Sequence, residues 1–519
     1  MALERGDGAQ ARNYWQQLIS ADRWQQAFAA RPDRRPPWLV YPDTDIDPAE
    51  IAARLLLATI LDNAPTARPE LDQFRAKYPE SHGRLAGHDA DYAQTLGALL
   101  EASGSWTATP ELSDWATFAG ADQRTRQVRA RLDVGAVRWK QVLPKSPGVE
   151  LSFSTRRVAE DHREPLSYYP LVVGDWLLVN SQFSIRAYDI RTGNPAWGLD
   201  PVIYRDPEFT DQRHTNRPTL GMPRFTMTAS GGKLFARMGS AVTGTQNEQP
   251  VPSAQGYIAC LDLAAEGKLL WRATPSEERW AFEGSPLCDG QRVYVGMRRS
   301  DVRPQAHVAC LDVRTGQLLW RRLVCSAETP AQQGPWDEIT HNLLTLHEGL
   351  LYYNTNLGAV AALDAGSGHL AWVTSYPRAK SGDLSQRATH FYRDLTPCVY
   401  DSGRLFVAPS DAPPVFALDA ASGLLLWKVE PSQNDTPIHL IGVAGGHLWA
   451  SGEKLWWIDI ATGKRRGYWP EGPTPKSLGR GALAGDKVYW PTTHEIYVFD
   501  QQSGLQVKQP IELSVRGAP

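Results

Sequence analysis

Hydrophobic and polar residues alternate in short runs along most of this chain, and one arrangement of such runs recurs seven times between residues 187 and 504. Each copy is an apolar strand that ends in Asp, followed after a few residues by a Gly and, in most copies, by a Trp four positions further on. The Asp residues of the copies are Asp189, Asp262, Asp312, Asp364, Asp419, Asp459 and Asp500. A repeat of roughly 40 to 50 residues predicts a propeller or a solenoid.

The copy around Asp419 illustrates the elements that each repeat predicts. Alternation and turn residues place strands over 396–400, 403–408, 415–418 and 424–429, so that one repeat forms one four-stranded sheet. The Gly supplies the positive φ that a hairpin turn requires, and the Asp side chain accepts hydrogen bonds from backbone amides of the turn. The Trp offers a flat apolar surface where neighbouring sheets meet. These roles are structural, so we assign no catalysis to the repeated Asp residues.

The two ends of the array decide between an open stack of sheets and a ring. An open stack exposes edges that invite aggregation, whereas a closed ring leaves only short, protected ones. The last repeat has Lys508 where other repeats have Trp, and Trp139 stands far upstream without a repeat of its own. We therefore predict that a strand around Trp139 completes the last sheet, begun over 480–500. The predicted fold is mainly β: a seven-bladed β-propeller of four-stranded antiparallel blades, with an eighth blade assembled from both chain ends as the alternative.

Residues 1–105 have a different pattern, without strand alternation and with apolar residues at helical spacing. Asp47 and Pro48 supply a cap and a first-turn proline for a helix that starts there. Further helices are predicted over 10–20, 21–30, 71–78 and 92–100. The predicted domains are a small N-terminal α-helical domain over 1–105, a linker and leading segment over 106–130, the propeller over 131–513 and a tail over 514–519.

The repeat Ala-x-Asp-x-x-Thr/Ser-Gly-x-x-x-Trp resembles the pyrroloquinoline-quinone-type (PQQ-like) β-propeller repeat family over about residues 114–513. That family includes quinoprotein dehydrogenases and many propellers that bind no cofactor, so the resemblance implies a fold and leaves the activity open. Residues 114–120 also resemble the segment that precedes such propellers in envelope proteins of planctomycete-like bacteria. The helical hairpins of residues 1–105 resemble tetratricopeptide-like units, which present a groove to a protein partner or simply pack against a neighbouring domain.

Composition narrows the classes of partner. The net charge of −3 gives no global basic footprint for nucleic acid. Five cysteines are an odd number without close spacing, which argues against a disulfide framework and a zinc site. Cys260 and Cys310 take the same position in neighbouring repeats, and we predict that both are small buried residues. No apolar run is long enough for a membrane-spanning helix.

The compartment is a separate question. The resemblance implies the cell envelope or the periplasm, but the first 20 residues lack the apolar core of a signal peptide. Either the chain as given lacks its natural N-terminus with an export signal, which we favour, or the protein stays in the cytoplasm.

A polar ring is predicted at the mouth of the central channel, where the innermost strands begin. Counting back seven residues from each inner turn aligns Tyr168, Phe225, Glu283, Asn342, Thr396, His439 and Gly479. With their neighbours, the candidate ligand-binding residues are Tyr168, Arg224, Glu283, His341, Asn342, Asp394, His439 and Arg480. Such a ring suits a small molecule, an extended peptide or a sugar, although polar residues at a channel mouth can equally just face water. If the ring serves a ligand, His439→Ala and Glu283→Ala should leave thermal stability nearly unchanged.

Familiar catalytic motifs are absent: there is no phosphate loop, nucleophile elbow or zinc-protease helix. Glu283 stands alone among Arg and His residues, which is not a paired-carboxylate site. The run 336–338 with His341 is not taken as a metal site, because adjacent side chains on an extended chain point apart. We predict a non-catalytic binding or scaffold protein, in protein–protein interaction or envelope assembly, with no catalytic residue, metal or cofactor.

A PQQ-dependent dehydrogenase that uses the channel mouth is the alternative that the resemblance implies. Its cofactors would be PQQ and calcium, with Glu283 and Asn342 offered as calcium ligands. Family enzymes typically have an adjacent Cys-Cys pair, and some have a haem-attaching Cys-x-x-Cys-His; this sequence has neither. A polysaccharide-binding or lyase-like propeller is a third possibility, which the sequence does not separate from the first.

Overall fold

The chain divides into two compact units. One unit comprises residues 1–112 together with 347–350, and the other comprises residues 113–346 and 351–519. The computed structural model describes residues 15, 47–61, 66–85, 88–103, 114–128, 135, 137–143, 168–207, 224–239, 256–277, 279–299, 303–327, 341–379, 393, 395–430, 437–472, 475, 477, 479–507 and 509–513. None of the helices within these ranges has the length and apolar character needed to cross a membrane.

The first unit contains three helices and a β-hairpin among its described residues. The elements are α1 (Pro48–Leu61), α2 (Ala67–Lys77), β1 (His82–Leu85), β2 (His88–Asp91) and α3 (Tyr92–Ser103). The predicted start of α1 is confirmed, because the Asp47 carboxylate accepts a hydrogen bond from the Ala49 amide at 2.9 Å and so caps the helix. The hairpin of β1 and β2 was not predicted from the sequence. The tetratricopeptide-like interpretation stays a prediction, and the helices predicted before residue 47 lie outside the described residues, apart from Trp15.

The second unit is mainly β. Its described residues form six four-stranded sheets and one five-stranded sheet. Neighbouring strands follow one another along the chain and pair antiparallel, with one exception in the five-stranded sheet. The first two sheets contain β4 (Leu171–Val173), β5 (Trp176–Asn180), β6 (Ser184–Asp189) and β7 (Val202–Arg205), then β8 (Met227–Ser230), β9 (Lys233–Met238), β10 (Tyr257–Asp262) and β11 (Lys268–Ala273). The third and fourth contain β12 (Trp280–Cys288), β13 (Arg292–Arg299), β14 (Gln305–Asp312) and β15 (Leu318–Ser326), then β16 (Thr345–His347), β17 (Leu350–Asn354), β18 (Ala359–Asp364) and β19 (Leu370–Ser375).

The remaining sheets complete the array. The fifth and sixth contain β20 (Val399–Asp401), β21 (Arg404–Val407), β22 (Val415–Asp419) and β23 (Leu425–Val429), then β24 (His439–Ala444), β25 (His447–Ser451), β26 (Leu455–Asp459) and β27 (Arg465–Trp469). The seventh contains β28 (Ala482–Ala484), β29 (Lys487–Pro491), β30 (Glu495–Asp500) and β31 (Ile511–Glu512), with β3 (Gln127–Val128) paired parallel to β28. Apolar clusters fill the spaces between consecutive sheets from the first to the fourth and from the fifth to the seventh. Cys260 and Cys310 are fully buried within these clusters, as predicted.

The repeated Asp and Gly residues have the roles that the sequence predicts. At Asp312, Oδ1 accepts hydrogen bonds from the amides of Arg314 and Thr315 and from the Thr315 hydroxyl, at 2.9 to 3.0 Å. Gly316 then takes a positive φ of 71°. The turn is thus held by the Asp side chain and requires a residue without a Cβ.

A large side chain from another part of the chain covers each Gly of the seven turns, so close that a Cβ would overlap with it. The pairs are Trp139 with Gly193, Ile203 with Gly267, Trp271 with Gly316, Trp320 with Gly368, Trp372 with Gly423, Trp427 with Gly463 and Trp457 with Gly504. The prediction that the spaced Trp packs between neighbouring sheets is confirmed for those that follow Gly267, Gly316, Gly368 and Gly423. Trp197 packs against the apolar cluster between the first and second sheets, with its ring 4.6 Å from that of Trp176, but Ile203 rather than Trp197 covers Gly267.

Trp139 does not lie in a strand. The fourth antiparallel strand of the last sheet is β31, and residues 135 and 137–143 form no strand, so the prediction that the chain around Trp139 completes this sheet is wrong. The indole of Trp139 nevertheless covers Gly193 of the first sheet and donates to the Ile190 carbonyl at 3.0 Å. Trp271 makes the equivalent bond to the Val313 carbonyl at 3.0 Å. Trp139 therefore takes the place of a repeat Trp without being part of a repeat.

Residues 114–128, named here the connecting segment, bond to six of the seven sheets in chain order. Backbone hydrogen bonds join Trp115 to Val172, Ala116 to Ala229, Asp122 to Leu346, Gln123 to Tyr400 and Val128 to Gly485, and the Thr125 hydroxyl accepts from the Val443 amide. Each partner lies in the first strand of its sheet or in the turn that follows it. One irregular segment therefore satisfies backbone groups along the first strands of successive sheets.

Candidate functional site

The connecting segment brings a buried cation to the first strands of the sheets. Arg124 is 0% exposed, and its Nε and Nη2 donate to the Leu344 carbonyl at 3.0 and 2.7 Å. Its Nη1 donates to the Thr117 hydroxyl at 2.8 Å and to the Phe118 carbonyl at 2.9 Å. Burial lowers the pKa of Arg124 to about 10, and the charge of Asp122 opposes that shift. The guanidinium is therefore charged at neutral pH.

A second arginine, Arg480, lies beside the first. Its Nε donates to the Leu440 carbonyl at 3.1 Å, and its Nη2 donates to the carbonyls of Leu440, Ile441 and Arg124 at 2.8, 2.6 and 3.2 Å. The guanidinium carbon lies 5.3 Å from the centre of the Phe118 ring, within the range of a cation–π interaction. Burial lowers the pKa of Arg480 to about 10, and the charge of Arg124 acts in the same direction.

These two arginines border a small, partly open cavity. Its lining residues are Phe118, Arg124, Leu395, Thr396, Pro397, Val399, Ala408, Ile438, His439, Leu440 and Arg480. The cavity has room for about one water molecule. None of the described residues that line it carries a carboxylate, so its polar groups are two guanidinium ions, a hydroxyl and an imidazole.

Glu283 lies in a separate, fully buried polar network. Its Oε1 is 3.0 Å from Nε of Arg298, and its Oε2 accepts from the Tyr353 hydroxyl and from Asn342 Nδ2 at 3.3 Å. Burial raises the pKa of Tyr353 well above its usual value, and the negative charge of Glu283 adds to that effect. Both Glu283 and Arg298 are at most 2% exposed, so the ion pair is screened little by solvent.

Hydrogen bonds connect this network to the cavity. Asn356 Nδ2 donates to Asn342 Oδ1 at 2.6 Å and to the Thr396 hydroxyl at 2.9 Å. Asn342 in turn contacts Glu283, and Thr396 lines the cavity. Three of the aligned positions, from the third, fourth and fifth repeats, therefore lie along one chain of hydrogen bonds.

The structure places the eight predicted site residues in different surroundings. Glu283 and Asn342 meet in the buried network, and His439 and Arg480 meet at the cavity. Tyr168 pairs with Phe225, their rings 5.3 Å apart, and burial raises its pKa to about 12. His341 is 2% exposed, Arg224 is half-buried, and neither lines the cavity. Asp394 lies outside the described residues, as do the run 336–338 and most of the loop 390–394.

The sequence did not identify Arg124 or Phe118 as part of a site. Both belong to residues 114–128, where the sequence offers no strand alternation and no repeat to align. No sequence signal singles out Arg124, because it lies in a polar run, 122–127, that contains a second arginine, Arg126.

The described residues do not fit PQQ with calcium. Calcium prefers oxygen ligands, yet the Glu283 carboxylate already faces the Arg298 cation, and the Asn342 amide donates to it rather than offering an oxygen. The cavity with room for one water is far smaller than a three-ring quinone. Among the described residues no group of three or more metal-ligating side chains converges.

Comparisons with known proteins point to one family. A family model described as outer membrane protein assembly factor BamB matches residues 181–396 and 358–510. Polyvinylalcohol dehydrogenases from Sphingopyxis sp. (strain 113P3) and Pseudomonas sp. are 26% and 24% identical over 200 residues, which cover 34% of this chain and 28% of each relative. The chain thus matches less than a third of the length of these curated relatives.

Solved structures with a similar fold include two with low sequence identity. BamB from Moraxella catarrhalis has a TM-score of 0.38 and 16% identity, covering 64% of this chain and 80% of that chain. Quinohemoprotein alcohol dehydrogenase from Comamonas testosteroni has a TM-score of 0.49 and 15% identity, covering 77% and 73%. These likenesses are too weak to carry an argument about function. Because the family match extends over more than half of the sequence, this chain belongs to the PQQ-like repeat family described as outer membrane protein assembly factor BamB.

Proposed function

We propose that this chain is a non-catalytic binding or scaffold protein of the cell envelope or periplasm, which acts through protein–protein interaction. The observation that carries the proposal is the connecting segment, which runs along the first strands where a propeller enzyme would hold a large cofactor. The family description, an assembly factor, supports the same class of function. Residues 1–105, interpreted as tetratricopeptide-like, offer a second surface for a partner.

The proposal includes a closed, seven-bladed propeller. The connecting segment supports closure, since Trp115 bonds to the first sheet and Val128 to the seventh. Thirteen residues span at most about 45 Å when fully extended. Seven sheets stacked in a line at about 10 Å spacing would separate the first from the last by about 60 Å, which supports a curved array. The contact of Trp139 with Gly193 supports the same arrangement.

A first experiment tests the absence of catalysis. Purified full-length protein is incubated with PQQ and calcium, and the expected result is no saturable cofactor absorbance band and no dye reduction with alcohols or aldoses. Saturable cofactor binding with turnover would overturn the proposal in favour of the PQQ-dependent dehydrogenase. That alternative is favoured by one observation, the similarity of 200 residues to polyvinylalcohol dehydrogenases.

A second experiment tests the binding function directly. The full chain is immobilised and exposed to a cell envelope extract, and captured proteins are quantified against an unrelated propeller of similar size and charge. We expect a small set of envelope proteins to be enriched in a saturable manner. Equal recovery on both proteins would contradict a role in protein–protein interaction.

A further inference from the structure

The cavity beside Arg124 and Arg480 carries an excess of positive charge. Asp122 is the one described carboxylate whose charge acts on Arg124, and no described carboxylate acts on Arg480. A buried cation without a nearby anion is costly, so an anion that binds at the cavity lowers the electrostatic cost of burying these two arginines.

Two groups at the cavity have hydrogen-bond donors without an acceptor among the described residues. Nε and Nη2 of Arg480 are bonded to carbonyls, whereas Nη1 donates to none of the described residues. The Thr396 hydroxyl accepts from Asn356 at 2.9 Å, and no described acceptor takes its own proton. A guanidinium N–H pair and a hydroxyl together can satisfy the oxygens of one carboxylate.

The size of the cavity limits what can enter. Room for about one water molecule admits one oxygen of a carboxylate group, and the opening leaves the rest of the molecule outside. A quinone ring system or a phosphorylated nucleoside does not fit inside.

We propose that the cavity bordered by Arg124, Thr396, His439 and Arg480 binds a carboxylate group. The carboxylate oxygens accept hydrogen bonds from Arg480 Nη1 and from the Thr396 hydroxyl, and the charge of Arg124 stabilises the bound anion from the buried side. Two sources share this chemistry: a small free carboxylate such as formate, and the carboxylate of a peptide. The peptide source, unlike the anion site itself, rests on the proposed binding function.

Calorimetric titration of the full-length protein with sodium formate at constant ionic strength tests the site. We expect saturable binding with a dissociation constant in the millimolar range, and no binding of formamide, which has the same size without the charge. Arg480→Gln should weaken formate binding at least about tenfold, as expected for the loss of a charge-assisted hydrogen bond. Arg466→Gln is the matched control, since Arg466 is 53% exposed and pairs with Asp459 away from the cavity.

Additional variants keep the test informative if Arg480→Gln does not fold. Thr396→Val preserves the volume and removes the hydroxyl, and it should weaken formate binding several-fold; Arg480→Lys should retain part of the affinity because it keeps the charge. Equal affinities for formate and formamide, or formate affinities unchanged in both Arg480→Gln and Thr396→Val, would overturn the proposal. So would the absence of saturable formate binding to the wild-type protein.

A short peptide with a free terminal carboxylate, compared with its amidated form, identifies the source. Binding of the free-acid peptide at least tenfold tighter than formate indicates a peptide ligand, and equal affinity indicates a small carboxylate. If the immobilised chain captures no envelope protein but formate still binds, the scaffold function is refuted and the anion site is not.

Discussion

The contact between Trp320 and Gly368 provides a quantitative test of how neighbouring sheets are held together. Gly368 has a φ of 69°, and a Cβ there would lie 2.6 Å from Cε3 of Trp320. Gly368→Ala therefore combines a left-handed backbone cost of about 1–2 kcal/mol with an overlap cost of about 1–3 kcal/mol. The sum predicts a loss of about 2–5 kcal/mol in the free energy of unfolding.

Trp320→Ala should cost about 3 kcal/mol, at the lower end for a large aromatic residue because Trp320 is partly buried. Its buried Nε1 has no acceptor among the described residues, so this variant removes packing and no hydrogen bond. In the Trp320→Ala background, Gly368→Ala should cost only its backbone contribution, about 1–2 kcal/mol. The double-mutant cycle should thus give a coupling energy of about 1–3 kcal/mol.

Urea unfolding followed by circular dichroism measures these differences as shifts in midpoint at unchanged slope. Gly403→Ala is the matched control: its φ is 77°, and a Cβ there would meet no described heavy atom within 4 Å. If Gly368→Ala costs no more than Gly403→Ala, or if removing Trp320 does not reduce its cost, the indole does not form the contact between sheets that we describe.

Three further predictions concern the buried charges and Trp139. Glu283→Gln leaves Arg298 without its counter-ion and should lower the free energy of unfolding, measured in urea, by about 3–5 kcal/mol. Glu430→Gln is the control: Glu430 is 57% exposed in an ion pair with Lys428, and its replacement should change the free energy of unfolding by less than about 0.5 kcal/mol. An unchanged free energy of unfolding for Glu283→Gln would support the expectation that Glu283 serves only a ligand. Burial, and then the charges of Arg321 and Arg299, lower the pKa of His307 to about 4. Because the unfolded chain binds this proton at about pH 6.5 and the folded chain does not, stability should fall by roughly 3 kcal/mol as the pH drops from 6.5 to 4, and His307→Gln should remove that part of the pH dependence. Trp139→Ala should lower the urea midpoint as much as Trp271→Ala; a negligible effect would show that Trp139 does not stabilise the first sheet.

Local patterns were sufficient to predict the strands. Around Asp419 the predicted strands over 403–408, 415–418 and 424–429 agree with β21, β22 and β23 within one residue or so at each end. The first strand was placed three residues early, at 396 instead of Val399, because Pro397 cannot donate a ladder hydrogen bond. The hairpin of β1 and β2 was missed because its residues are mostly polar and show no alternation.

The environment of the candidate site could not be predicted in the same way. Counting from the inner turns located Glu283, Asn342 and Thr396, which the structure joins through Asn356. Their partners come from positions that no repeat specifies: Arg298 neutralises Glu283, and Arg124 reaches Leu344 across 220 residues. Charge compensation depends on which side chains tertiary packing brings together, and a single sequence does not contain that information. The expectation that replacing Glu283 leaves thermal stability nearly unchanged if the ring serves a ligand stays a prediction, which the urea unfolding of Glu283→Gln tests.

The connecting segment also limits where a ligand can bind. Its backbone and the Thr125 hydroxyl make at least seven hydrogen bonds to the first strands of the sheets and their turns. At about 0.5–1.5 kcal/mol each, displacing them would cost about 4–10 kcal/mol before a ligand made any contact. A large planar cofactor would have to exceed that cost and also satisfy the carbonyls that Arg124 now occupies. A carboxylate at the edge of the cavity displaces none of these bonds, because it uses donors that the fold leaves available. Binding at the edge of the cavity, with the connecting segment left in place, is therefore energetically favoured over binding of a large planar cofactor.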